Sequence, residues 1–224
     1  MKSQIFYSTL RQDIEHKTLT FLNSHLNSQE DFLSPSTANS TRAVGDAIQY
    51  LLEKSFDSIL GNYSAKYSTG FARRAMADLA FQDQQGFYYV VDVKTHRTDT
   101  KFNMPNLTSV DRLARFYEDD TNYFVLLLVS YHFEQAKVSV TDVRFVPIEF
   151  LGWDCLTIGA LGWGQIQIAN SNIVTINDGY SRKTWMLELC DVMLHFYPKE
   201  ITKIGRRISR FEETKQFWLS KPES

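Results

Sequence analysis

Cysteine is scarce in this chain. Cys155 and Cys190 are the only two. They have neither disulfide-framework nor metal-ligand spacing, which argues for two reduced thiols in a cytosolic protein. No segment approaches 18 consecutive apolar residues, so nothing is expected to span a membrane. The first residues, MKSQIFYSTLRQDIEH, carry acidic and polar side chains where a signal peptide would need an apolar stretch. A cytoplasmic, bacterial intracellular protein is the expectation. There is no GxxxxGK[ST] loop, so ATP-driven chemistry is not supported. A G-x-S-x-G nucleophile elbow is also missing. Internal repeats and low-complexity tracts are absent. Charge is nearly balanced, at a formal net −2. That balance decides nothing about nucleic acid, because DNA binding needs a local basic face rather than a basic total.

What is present is apolar surface. Of 224 residues, 43% are hydrophobic, enough for one domain with a sizeable core, residues 1–224. Residues 8–26 read as an amphipathic helix, and a second helix runs from about Arg42 to Leu60, stopped by Gly61-Asn62. The polar segment Asn27–Thr41 joins them as a loop. Strands are expected over Leu79–Phe81 and Phe87–Val93. A helix follows near LTSVDRLARFYED, with Thr108 or Ser109 as its N-cap. The continuous run Tyr123–Tyr131 reads as a central strand. KVSVTDVRFVPIEFL adds one or two strands beside it, and GQIQIAN reads as another short strand. The C-terminal region reads as two helices, SRKTWMLELCDVMLHFY and KEITKIGRRISRFEETKQFWLSK. This order predicts a mixed α/β fold, with a central mixed β-sheet flanked by helices.

One strand carries charges that an apolar strand tolerates poorly. In DLAFQDQQGFYYVVDVK, Gly86 can take φ > 0, so Gln84-Gln85-Gly86 suits a three-residue hairpin loop. Asp83 then faces Phe87, and the same register sets Asp78 opposite Asp92, with Cβ atoms roughly 4.5–5.5 Å apart. Lys94 is two residues beyond Asp92 and shares its face. Two facing carboxylates repel. A hard divalent cation relieves them, since Mg²⁺ takes oxygen ligands from one or two carboxylates plus substrate phosphates. Lys94 beside such an ion can stabilise a phosphate or orient a water. The competing explanation is an ordinary surface ion pair on an edge strand.

The sequence resembles the PD-(D/E)xK nuclease superfamily, and more closely the HincII-type restriction endonucleases. VDVKT leads through a polar loop into MPNLTS. IGALGWGQIQIAN, then SRKTW at a helix start, follow in the order and spacing of that family. AVGDAIQYLLEK resembles its N-terminal helix. The likeness spans roughly Ala43–Tyr197. Ala77 stands where the superfamily's name calls for proline. The resemblance implies a restriction-endonuclease-like fold and a homodimer that embraces palindromic double-stranded DNA. It implies Asp78 and Asp92 as ligands of Mg²⁺ or Mn²⁺, the Val93 carbonyl completing the metal shell, and Lys94 as the third catalytic residue. Asp46 sits where the family has an acidic helix residue. It also reads as a first-turn aspartate favoured by the helix dipole.

By the same resemblance RTDTKFNMPNLTS approaches the DNA near the cut. Asn103 and Met104 fall where side chains wedge into the base stack. Asn106 is placed to read a base edge, or to cap the next helix. Gly159, Gly162 and Gly164 let backbone come close to a ligand, and Gln165 and Gln167 suit groove contacts. Lys101 and Arg97, with Arg182, Lys183, Arg206, Arg207 and Arg210, are candidate phosphate contacts or solvated faces. His96 shares the cluster's parity as a base, a phosphate contact or a surface histidine. The expected activity is type II, site-specific, Mg²⁺-dependent cleavage giving blunt ends with 5′-phosphate. The alternatives are a repair or junction-resolving nuclease of the same superfamily and a non-catalytic DNA-binding protein.

Overall fold

The structure is a computed structural model describing residues 3–28, 37, 40–67, 77–134 and 137–222. In chain order the elements are α1 (Leu10–His25), α2 (Thr41–Leu60), β1 (Ser64–Tyr67), β2 (Leu79–Asp83), β3 (Tyr88–Arg97), β4 (Asn106–Ser109), α3 (Val110–Phe116), β5 (Asn122–Glu134), β6 (Lys137–Pro147), β7 (Leu156–Gly159), β8 (Gln165–Ile168) and α4 (Arg182–Leu219). Most of the segment read as a loop between the first two helices lies outside the described residues. The fold is mixed α/β. Two units divide the chain, residues 1–178 and 179–224.

Five strands form the main sheet in the order β1-β2-β3-β5-β6. β5 is the apolar run Tyr123–Tyr131 extended at both ends, and it lies between two partners. On one side it pairs in parallel with β3, from Tyr88↔Asn122 to Arg97↔Tyr131. On the other it pairs antiparallel with β6. A strand held on both edges has no polar rim to solvate, so it reads as unbroken hydrophobicity. Alternation does the rest. Tyr89 and Val91 of β3, with Tyr123, Val125, Leu127 and Val129 of β5, enter a core shared with Ile14 and Leu22 of α1 and Val44, Ile48, Leu52 and Phe56 of α2. By the same alternation Asp92, Lys94 and His96 face the other way.

The hairpin forms as expected. Gly86 has φ +87°, and its amide donates to the Asp83 carbonyl at 3.1 Å. Asp83 holds the turn closed. Its Oδ1 accepts from the amides of Gln85 (2.9 Å) and Phe87 (3.0 Å), and its Oδ2 from the Tyr89 hydroxyl at 2.6 Å. The ladder runs from Gln82↔Tyr88 to Leu79↔Val91, the register anticipated above. Gly61, at φ +54°, ends α2 as anticipated. Ser109 precedes α3 but makes no side-chain capping bond.

Two features differ from the sequence reading. First, β8 does not join the main sheet. It pairs with β4 and β7 in a second, three-stranded sheet of order β4-β8-β7. Each of these strands is four residues long. So short a segment holds too few alternating positions to declare its partner. Second, the C-terminal region is one 38-residue helix with Pro198 inside it, not two helices. A proline removes one backbone donor and costs about 3 kcal/mol, yet long helical stretches on both sides let propagation resume. Among the described residues no helix is long and apolar enough to cross a membrane.

The outer edge of β6 is closed by side chains. Asn23 on α1 donates to the Val140 carbonyl and accepts from its amide, both at 2.9 Å. Asn27 does the same at Val138. Glu15 accepts from the Phe145 amide at 2.8 Å. These bonds satisfy ladder groups that would otherwise template another strand. Replacing Asn23 with alanine returns the Val140 amide and carbonyl to water. The expected loss is about 1–2 kcal/mol, read as a lower urea midpoint at unchanged slope. An unshifted midpoint would show that the edge does not need this clasp.

Candidate active site

Asp78, Asp92 and Lys94 meet where β2 gives out alongside β3. The ladder stops at Leu79, and Asp78 sits in the bend just before it. Its amide donates to the Val91 carbonyl at 3.0 Å, and its Oδ2 accepts from the Val93 amide at 2.8 Å. The side chain thus takes over a backbone bond that the missing strand residue would have made. Oδ1 accepts from the Gln49 amide group at 3.1 Å, and Gln49 also donates to Glu53 at 3.1 Å. Both oxygens of Asp78 are therefore fixed, one by β3 and one by α2.

Asp92 is in a different state. It lies on a central strand and is 5% exposed. Lys94 Nζ donates to its Oδ1 at 2.8 Å. Its Oδ2 is buried and has no hydrogen-bond partner among the described residues. Burial pushes the Asp92 carboxyl up to about 7, against the pull of Lys94, and repulsion from Asp78 adds to the rise. Burial also raises Asp78, opposed by the Val93 amide and Lys94, with Glu53 adding to it. Two dehydrated carboxylates that repel each other, one with an orphaned oxygen, are a donor set for a hard cation. The orphaned oxygen is the observation that favours such an ion. No group of three or more His, Cys, Asp or Glu side chains is gathered among the described residues. Two carboxylates would need a backbone oxygen or water to complete a shell, the role that the resemblance implies for Val93.

Gln49 and Glu53 were not anticipated. They are one turn apart on α2, flanking the apolar stripe of Ile48 and Leu52. Only the docking of α2 on the sheet decides which edge of that stripe meets β3. Gly45 sets this approach, since a Cβ there would lie 3.3 Å from Thr95 Oγ1. Asp46, the acidic helix residue singled out from sequence, is mostly exposed and lies 3.9 Å from Arg42 one turn back.

Beyond Lys94 the strand carries His96, whose Nε2 is 2.9 Å from Asn172 Oδ1. Asn172 also donates to the carbonyls of Thr100 and Lys101. Lys94, His96, Ser130, Asp142, Arg144 and Asn172 line one cavity of about 420 Å³ beside the carboxylates. Arg97 holds Asp99 with two nitrogens, at 2.6 and 2.7 Å, and lies over the Phe133 ring. Lys101 is exposed, Met104 is 40% exposed, and the Asn103 carbonyl accepts from the Ser171 amide at 2.9 Å.

The remaining candidates gather on the second sheet. Asn106 pairs with Gln167, and Ser109 with Gln165. The Gln167 amide donates to the Asn106 side chain. Gly159 pairs with Gln165, and a Cβ on it would come within 2.8 Å of Gln167 Oε1. Gly162 (φ +59°) and Gly164 (φ +119°) shape the turn before β8. Ile166 and Ile168 are buried, so alternation turns Asn106, Gln165 and Gln167 onto a shared polar face. The chain matches no protein-family model and no curated protein sequence.

The Asp92 carboxyl predicts a pH dependence for the metal-free protein. Its pKa is about 7 in the folded chain and about 3.9 unfolded. Between those values the folded state binds more protons. The contribution of Asp92 to stability is therefore full below about pH 4, falls as pH rises, and is gone above about pH 7. In urea titrations with chelator, Asp92→Asn is expected to gain on wild type by a few kcal/mol between pH 4 and pH 8. A pH-independent difference would show that Asp92 is not desolvated.

Proposed function

We propose that this protein is a type II restriction endonuclease of the PD-(D/E)xK kind, cutting both strands of a palindromic DNA site as a homodimer. The observation that carries the reading is the orphaned, buried Oδ2 of Asp92 beside Asp78 and Lys94. The five-stranded mixed sheet, with α1 and α2 packed on one face, is compatible with a restriction-endonuclease-like fold, and the resemblance of VDVKT, MPNLTS and GQIQIAN supports the same reading.

In this reading Asp92, Asp78 and the Val93 carbonyl hold Mg²⁺, with Mn²⁺ able to replace it. The ion supplies Lewis-acid neutralisation of the scissile phosphate and lowers the pKa of a bound water. The chain does the positioning. The Val93 amide and Gln49 lock Asp78, so its carboxylate needs little reorganisation on binding charge. Asp92 holds the Lys94 ammonium 2.8 Å away, where it orients the attacking water in line or contacts the phosphate. The polar face of Asn106, Gln165 and Gln167 suits base edges in a groove, with Asn103 and Met104 as the wedge candidates. Products carry 5′-phosphate on blunt ends, and the reaction belongs to the cytoplasm. The Lys94–Asp92 ion pair also favours a second reading, in which the pair neutralises itself and the chain binds DNA without cutting it.

Digestion of a long plasmid with Mg²⁺ is expected to give discrete bands. Asp92→Ala and Lys94→Ala should each slow cutting at least 100-fold while gel-shift affinity for the same DNA persists. A smear or junction-only cutting would move the protein to the repair nucleases. Undiminished cutting by both variants would remove the site assignment.

A further inference from the structure

The strongest unexplained feature lies in α4. Leu187, Leu194, Ile201 and Ile208 recur every seven residues, and so do Tyr197, Ile204, Phe211 and Trp218, offset by three. These are the a and d rows of a heptad repeat. All eight side chains are between 38% and 73% exposed. Cys190 and Lys215 stand at the two remaining a and d positions of this stretch. Pro198 and Gly205 both fall at e, on the flank, and leave the a and d rows intact. Lys199, Lys203, Arg206, Arg210 and Glu213 occupy the outer c and f positions. Ile204, Arg207, Ile208 and Phe211, with Glu212 and Lys215, line a surface hole. Its i, i+3, i+4, i+7 diamond is the shape that receives one knob from a facing helix.

We infer that α4 is a two-fold coiled-coil seam whose occupant is α4 of a second copy of this chain. Three arguments select that occupant. A strict seven-residue stripe drifts about 20° per heptad around a straight helix. Over four heptads only a helix that supercoils with it stays in contact, whereas a membrane surface or straight groove does not. The flanking charges are complementary to themselves. Arg207, at g, faces Glu212 of the second copy in a parallel pair and Glu200 of the second copy in an antiparallel one, twice over by symmetry. The eight side chains also expose on the order of 1000 Å² per copy, against the roughly 800 Å² that each partner gives a stable interface. An apolar patch of this size is costly to leave in water.

The inference rests on the homodimer part of the reading above and adds the surface that joins the copies. Sedimentation equilibrium on the full chain tests it. Wild type is expected at twice the 26.0 kDa of one chain. The double variant Ile204→Asp/Ile208→Asp should sediment as a single chain with its far-ultraviolet helix signal kept. Arg207→Glu should weaken pairing at least tenfold, and adding Glu212→Arg or Glu200→Arg to it should restore pairing in the orientation each serves. A double variant that remains dimeric overturns the seam but leaves the homodimer standing. A single-chain mass for wild type at tens of micromolar overturns both. Adsorption of the single chain to phosphatidylglycerol vesicles counts against the second copy as occupant. Mass and plasmid cutting are independent readouts, so a chain that pairs without cutting keeps the seam and loses the nuclease.

Discussion

The parallel ladder between β3 and β5 is the constraint on which the rest of the structure depends. Ten residues of β3 are matched in sequence with ten of β5, while β2 occupies the other edge of β3. That ladder fixes which face of the sheet Asp92 enters, and what packs over the face dehydrates it, leaving the residue 5% exposed. Its raised pKa follows from that burial.

The neighbours of that carboxylate divide the cost. Lys94 satisfies one oxygen. The early end of β2 leaves the Val93 amide without a ladder partner, and the side chain of Asp78 answers it. That one substitution of side chain for backbone brings a second carboxylate to the first. Gln49 then fixes the outer oxygen of Asp78 from α2, and the bare Cα of Gly45 lets the helix come close enough to do so. Buried like charges repel, and the Lys94 ammonium offsets part of that repulsion at Asp92.

The hairpin shows how far local sequence reaches. Gly86 at φ +87° and Asp83 inside its own turn set a register that alternation then carries to Asp78, all within a stretch of fewer than twenty residues. The heptad rows of α4 are equally local, but reading the region as two helices hid them. Elsewhere the signal fades. β4, β7 and β8 are too short for a pattern, and their union into a second sheet depends on where distant loops return. Asn106 looked like either a base reader or a helix cap, and it proves to be a strand residue bonded to Gln167. Arg97 read as a candidate phosphate contact, and only the turn shows Asp99 set against it. The C-terminal region read as two helices, but Pro198 between them costs one hydrogen bond, a small defect in 38 residues.

The sequence alone determined the mixed α/β class, the central strand, the hairpin register and the charged trio on one parity, because each rests on periods of two or 3.6 residues and on one glycine. The tertiary structure alone decided that β3 lies inside the sheet, that Gln49 and Glu53 rather than Asp46 stand beside Asp78, and that Asp92 keeps one oxygen without a partner among the described residues. Those outcomes depend on which surfaces dock and how much water they expel. A charge on a strand is legible from its neighbours in sequence, but its dehydration is set by its neighbours in space.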